Sequence, residues 1–170
     1  GDVYKRQIQP IVGCQVTLAA DVTAPIVLLA QNEAGWLNLM ALSTCLYLRD
    51  GGALPHVTVD ELEAHAEGLI CLTGGPLGPV GLLVAQGRQP EARALVERLA
   101  AAFPTRLYVE LQRHHDAEGR PLPEEQAAEG GMIDIAYDLG LPLVATNDVY
   151  FPKSDLYAAH DALICISERA

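Results

Sequence analysis

Apolar runs of strand length that alternate with amphipathic helical segments predict an α/β fold of parallel strands joined by helical crossovers. Two further observations agree. The run IVLLA at residues 26–30 has the unbroken apolarity of a strand buried on both faces, and three later strands each end in polar residues, where α/β proteins keep their chemistry. With 170 residues, 50% hydrophobic and 19% charged, the chain is sized for one globular domain with a real core.

Residues 11–20 and 26–30 read as strands. Asn32 then caps a helix over 33–48, in which Leu37, Met40, Ala41 and Leu48 recur near helical spacing while Trp36, Leu39 and Leu46 widen the stripe. A helix that apolar is expected to be mostly buried, with Trp36 in the core rather than acting as a ligand platform. Asp50-Gly51-Gly52 makes a turn, and Thr58 with Glu61 forms a capping box that opens a short helix reaching about His65. Residues 69–73 form the next strand, followed by a glycine-rich loop over 74–81 and a short helical turn. Pro90 stands at a first-turn position of a helix whose Ala92, Leu95, Val96, Leu99, Ala102 and Phe103 make one apolar face, opposite Glu91, Arg93, Glu97 and Arg98. A strand at 107–111 and a loop at 114–123 lead to a helix over 124–139, weakened by Gly130-Gly131 and stopped by Gly140. A strand at 143–146 and a helix over 155–166, capped by Ser154, complete the order.

A net charge of -11 disfavours phosphate backbones, so this segment is expected to meet a protein partner or a metal rather than nucleic acid. No apolar run approaches the length of a membrane span, and the N-terminus has no secretory pattern; the expected setting is the cytoplasm. Cys14, Cys45, Cys71 and Cys165 are far apart with no C-x-x-C pair, and read as reduced core thiols. Asp2-Val3-Tyr4-Lys5-Arg6-Gln7 is the translation of the end of a common sequencing-library adapter, so residues 1–7 are set aside as non-native and the domain is taken as 8–170, a piece of a longer reading frame.

The strand ends Thr73-Gly74-Gly75, Glu110 to His115, and Thr146-Asn147-Asp148 carry the candidate chemistry. A His and an Asp at one mouth can bind a divalent metal, but a tight site needs three or four such ligands. His114 therefore has two readings, ligand or hydrogen-bonded loop histidine, and Asp148 two, ligand or turn cap. His56, His65 and His160 show no ligand spacing and read as structural. The serines lack a nucleophile elbow, and Gly74-Gly75-Pro76-Leu77-Gly78 lacks the lysine of a phosphate-binding loop.

Six blocks in order, QPIVGCQVTL, LLAQNEAGWLNLMALSTCLYL, AEGLICLTGG, LYVELQRHH, LPLVATNDVYF and AAHDALICI, resemble the polymerase-and-histidinol-phosphatase (PHP) domain of the alpha subunit of bacterial DNA polymerase III. The resemblance implies an incomplete, distorted (β/α)7 barrel lacking its first strands, at the front of a replicative polymerase that uses Mg2+ in a site outside this segment. It also implies metal ligands at five positions here. Gln15, Gly75 and Tyr150 stand where the family has Glu, Cys and His, and only His114 and Asp148 keep ligand chemistry. The expectations are no catalytic residue and no bound metal in this segment, and a structural role with a docking surface for the separate proofreading exonuclease subunit and other replicase subunits. DNA would be met through the parent's other domains, and no membrane is involved. A stand-alone metal-dependent phosphoesterase of the same superfamily is the alternative, and main replicase and error-prone paralogue both stay open.

Overall fold

The computed structural model describes residues 10–48, 55–116, 118–150 and 152–168. The turn expected at Asp50-Gly51-Gly52 and the set-aside residues 1–7 lie outside them. The elements are strands β1 (Gly13–Ala19), β2 (Thr23–Ala30), β3 (Val57–Thr58), β4 (Leu69–Leu72), β5 (Leu107–Leu111) and β6 (Leu143–Ala145). The helices are α1 (Glu33–Tyr47), α2 (Val59–Ala64), α3 (Pro79–Ala85), α4 (Gln89–Ala102), α5 (Pro123–Asp138) and α6 (Tyr157–Glu168).

The six strands form one open sheet in the order β3-β1-β2-β4-β5-β6. The all-parallel expectation needs correcting at β2, which runs antiparallel to both β1 and β4, while β1–β3, β4–β5 and β5–β6 are parallel. The cause is local: only Ala20, Asp21 and Val22 separate β1 from β2, which permits a hairpin and excludes a helical crossover. Strand β3 escaped sequence reading because two residues carry no period. The glycine-rich stretch read as a loop is a 3₁₀ turn (Gly75–Leu77) and the start of α3, with Pro79 in the first turn of that helix.

Alternation along the strands separates two faces. Val16, Leu18, Ile26, Leu28, Leu69, Cys71, Leu107 and Val109 point to the helices and form one core with Leu39, Leu42 and Leu46 of α1, Val80 and Leu83 of α3, Leu95 and Leu99 of α4, Phe103, and Met132 and Ile135 of α5. The other face carries Gln15, Thr17, Val27, Tyr108 and Glu110.

The helix starts follow the sequence closely. Asn32 accepts from Gly35 N–H at 3.0 Å, and Thr58 and Glu61 form both bonds of the capping box. The buried face of α4 is Ala92, Leu95, Val96 and Leu99, as its spacing predicts.

Helix α1 requires a correction. Only one face is buried, at Gly35, Leu39, Leu42 and Leu46, and Trp36 is 43% exposed instead of lying in the core. Being apolar on every side, the helix has no period strong enough to select its inner face. The cysteines are free, as expected, but only Cys71 is fully buried; Cys14 and Cys45 are half-buried and Cys165 is exposed. Residue 154 begins a 3₁₀ turn (Ser154–Leu156) that leads into α6.

Candidate functional site

The carboxyl ends of β4, β5 and β6 lie side by side because these strands are parallel neighbours. Gln15 joins them from β1, since it is level with Val27, and Val27 with Leu72. A cavity of about 310 Å³ opens there, lined by Gln15, Pro25, Gly74, Glu110, Gln112 and the segment 147–150, among others. The structure thus brings three of the five positions, Gln15, Asp148 and Tyr150, to one cavity.

Gly75 sits beside it, buried, with φ +62°. A Cβ added there would meet the Gln112 carboxamide at 3.1 Å, so the Gln112 side chain occupies the space a side chain at 75 would need. The left-handed backbone also strains any residue but glycine.

His114 does not line this cavity and instead borders a second one, of about 390 Å³, with Arg113, Glu125 and Glu129. The Glu125 carboxylate, 5% exposed, accepts from His114 N–H at 2.7 Å and contacts Nδ1 at 2.6 Å. A carboxylate only accepts, so Nδ1 carries the proton and Nε2 is left to accept from Asp148 N–H at 3.4 Å. That carboxylate–histidine pairing is how proteins orient a metal-binding imidazole. Here the free ring nitrogen meets a backbone amide.

Tyr150 is tied to the same residue. A hydrogen bond with the Asp148 carboxylate, helped by its charge, pushes the phenol's pKa up from its ordinary value. The Tyr150 ring lies 5.3 Å from that of His160, the histidine of α6 read as structural. His65 caps α2, with Nδ1 2.8 Å from the Glu61 carbonyl.

Glu110 was placed by the sequence at a polar strand end but given no role there. It is 4% exposed at the end of β5, accepting from Gly74 N–H at 3.1 Å, from Gln112 Nε2 at 3.5 Å and from the Thr146 hydroxyl. Thr73 Oγ1 accepts from Glu110 N–H at 3.0 Å. Glu110 thereby links β4 to β6 across β5. Its charge adds to burial in pushing the Cys71 thiol up to about 12, so that thiol stays protonated. The signal was a lone acid inside the strand LYVEL, in register with the half-buried Tyr108. Glu125, by contrast, looks like an ordinary acid in the first turn of α5, and nothing local marks it as buried.

Among the described residues no three His, Cys, Asp or Glu side chains gather at a point that could hold a metal ion. No helix among them is long and apolar enough to cross a membrane.

Comparison with known proteins gives a consistent picture. The family model for the PHP domain matches residues 2–114. The DNA polymerase III subunit alpha of Caulobacter vibrioides is 46% identical over 174 residues, covering 96% of this chain and 15% of that protein. That of Rickettsia bellii is 37% identical over 166 residues (96% and 14%), and that of Treponema pallidum 34% over 175 residues (95% and 14%). The chain therefore spans about 15% of the length of the curated relatives it matches.

Proposed function

Since this chain belongs to the PHP domain family, we propose that it is part of the alpha subunit of a bacterial replicative DNA polymerase, in which it serves as a metal-free structural and docking module. Template-directed synthesis then belongs to the rest of the subunit, with Mg2+ held by carboxylates outside this segment. The other replicase subunits, the proofreading exonuclease among them, are the partners.

The observation that carries the reading is the chemistry at the strand ends. Gln15 offers a neutral amide, residue 75 offers no side chain, and Tyr150 offers a phenol already bonded to Asp148. His114 and Asp148 alone cannot replace the water that a divalent ion gives up on binding. Glu110, the buried carboxylate nearest the cavity, is satisfied by neutral donors from three strand ends.

The test uses a version of the domain extended upstream, chelator-washed, with elemental analysis and nuclease assays. Zinc and manganese should be well below one ion per chain, and no metal-dependent phosphoesterase or exonuclease activity should appear. Restoring Gln15→Glu, Gly75→Cys and Tyr150→His together should raise metal affinity more than the single changes combined, because ligands that share an ion act non-additively. Adding Gln112→Ala to make room at 75 should raise it again. Stoichiometric metal in the unmodified domain, lost on His114→Ala or Asp148→Ala, would falsify the reading and favour the phosphoesterase.

A further inference from the structure

Helix α1 has a second surface that the strand-end site does not use. Opposite its buried Leu39, Leu42 and Leu46, it presents Trp36 (43% exposed), Leu37 (56%), Met40 (41%), Tyr47 (75%) and Leu48 (74%). At 3.6 residues per turn Trp36, Leu37, Met40, Tyr47 and the C-cap Leu48 fall within an arc of about 120°, a stripe that they share with Thr44, whose hydroxyl is turned back onto the Met40 carbonyl, and with Glu33 in the first turn. Glu33 is the only charged residue in α1. A solvated helix sets charges opposite its core stripe, and a continuous apolar patch marks an interface.

We propose that this stripe is the seat of another domain of the same polypeptide. The inference rests on reading the chain as one part of a longer alpha subunit. Three arguments select that occupant over a separate subunit or a second copy. The relatives that share this helix are more than six times longer than the aligned segment, which is 15% of the first of them, so ample chain is available in the same molecule. From Trp36 to Leu48, a little over three turns, the stripe carries no charge to steer an exchangeable partner, and apolar interfaces of this kind belong to permanent contacts. Attachment in one chain also places the occupant at an effective concentration that a free partner does not reach.

Hydroxyl-radical footprinting of the full-length subunit, read by mass spectrometry, tests this directly, because Trp, Met and Tyr are among the most readily oxidised side chains. Trp36, Met40 and Tyr47 should react about ten-fold more slowly in the native subunit alone than after unfolding in urea, since the centre of an interface excludes water. Native rates close to the unfolded ones at all three would overturn the proposal. Protection that appears only on adding the exonuclease subunit would overturn it in favour of that partner, and protection that grows with subunit concentration would do so in favour of a second copy. Primer extension on the same preparation separates the two readings. Failure to extend a primed template counts against the polymerase assignment, whereas the footprint reports on the α1 face alone.

Discussion

At the scale of single residues, Glu125 and His114 show how much a buried carboxylate decides. Glu125 receives both the backbone N–H and the ring Nδ1 of His114. Glu125→Ala should leave both half-buried donors to water and cost about 1 kcal/mol in urea unfolding, the net worth of the bonds lost, while Glu125→Gln, which keeps one acceptor, should cost less. The ring 15N shifts of His114 should also move towards a mixture of tautomers in the alanine variant. The cysteines give a second expectation at this scale. Burial and the nearby Glu110 charge keep Cys71 protonated, whereas Cys165 is exposed on α6. Since the thiolate is the nucleophile, iodoacetamide at pH 8 should label Cys165 readily and Cys71 only after unfolding; prompt native labelling of Cys71 would mean that the core there opens.

At the scale of elements, the adjacent glycines of α5 have opposite meanings. A Cβ at Gly131 would come within 2.6 Å of Val84 Cγ1 and 2.8 Å of Gln89 Oε1, so glycine is what lets α5 pack on α3 and the start of α4. Gly130 has nothing within 4 Å. Gly130→Ala should therefore stabilise by about 0.5–1 kcal/mol through helix propensity. Gly131→Ala should lower the unfolding midpoint despite the same gain in propensity. Equal effects of the two would show that the α3–α5 contact is looser than the geometry implies. From sequence alone Gly130-Gly131 reads only as a weak point in a helix, because the neighbour that makes one glycine necessary is some forty residues away.

At the scale of the whole molecule, the sheet formed by the described residues is open, with β3 at one edge and β6 at the other. Strand β6 is half-buried to exposed, and α6 beyond it shows Tyr157, Leu163 and Ile166 to solvent. Unpaired strand edges recruit other chains. The 170-residue chain by itself should self-associate, seen as a sedimentation coefficient that rises with concentration and as binding of a dye for exposed apolar surface. Extension by upstream strands able to pair with the open sheet should suppress both. A monomer with a single cooperative thermal transition and no dye binding would show that six strands and their helices are enough.

Apart from β3, the order of strands and helices, the caps at Asn32 and Thr58, and the inner face of α4 were legible in the sequence, because each depends on residues a few positions apart. So was the polar character of the three strand ends. The tertiary structure decided the rest. It reversed β2 because a three-residue link closes a hairpin, and it turned Trp36 outward because a helix with apolar residues on every side carries no clear record of which side meets the sheet. It also placed Gln112 in the space beside Gly75, and it made Glu110 and Glu125 buried acceptors for donors many residues distant. Local spacing determines elements, whereas the partner of a buried charge is set by which distant segments the fold brings within hydrogen-bond reach.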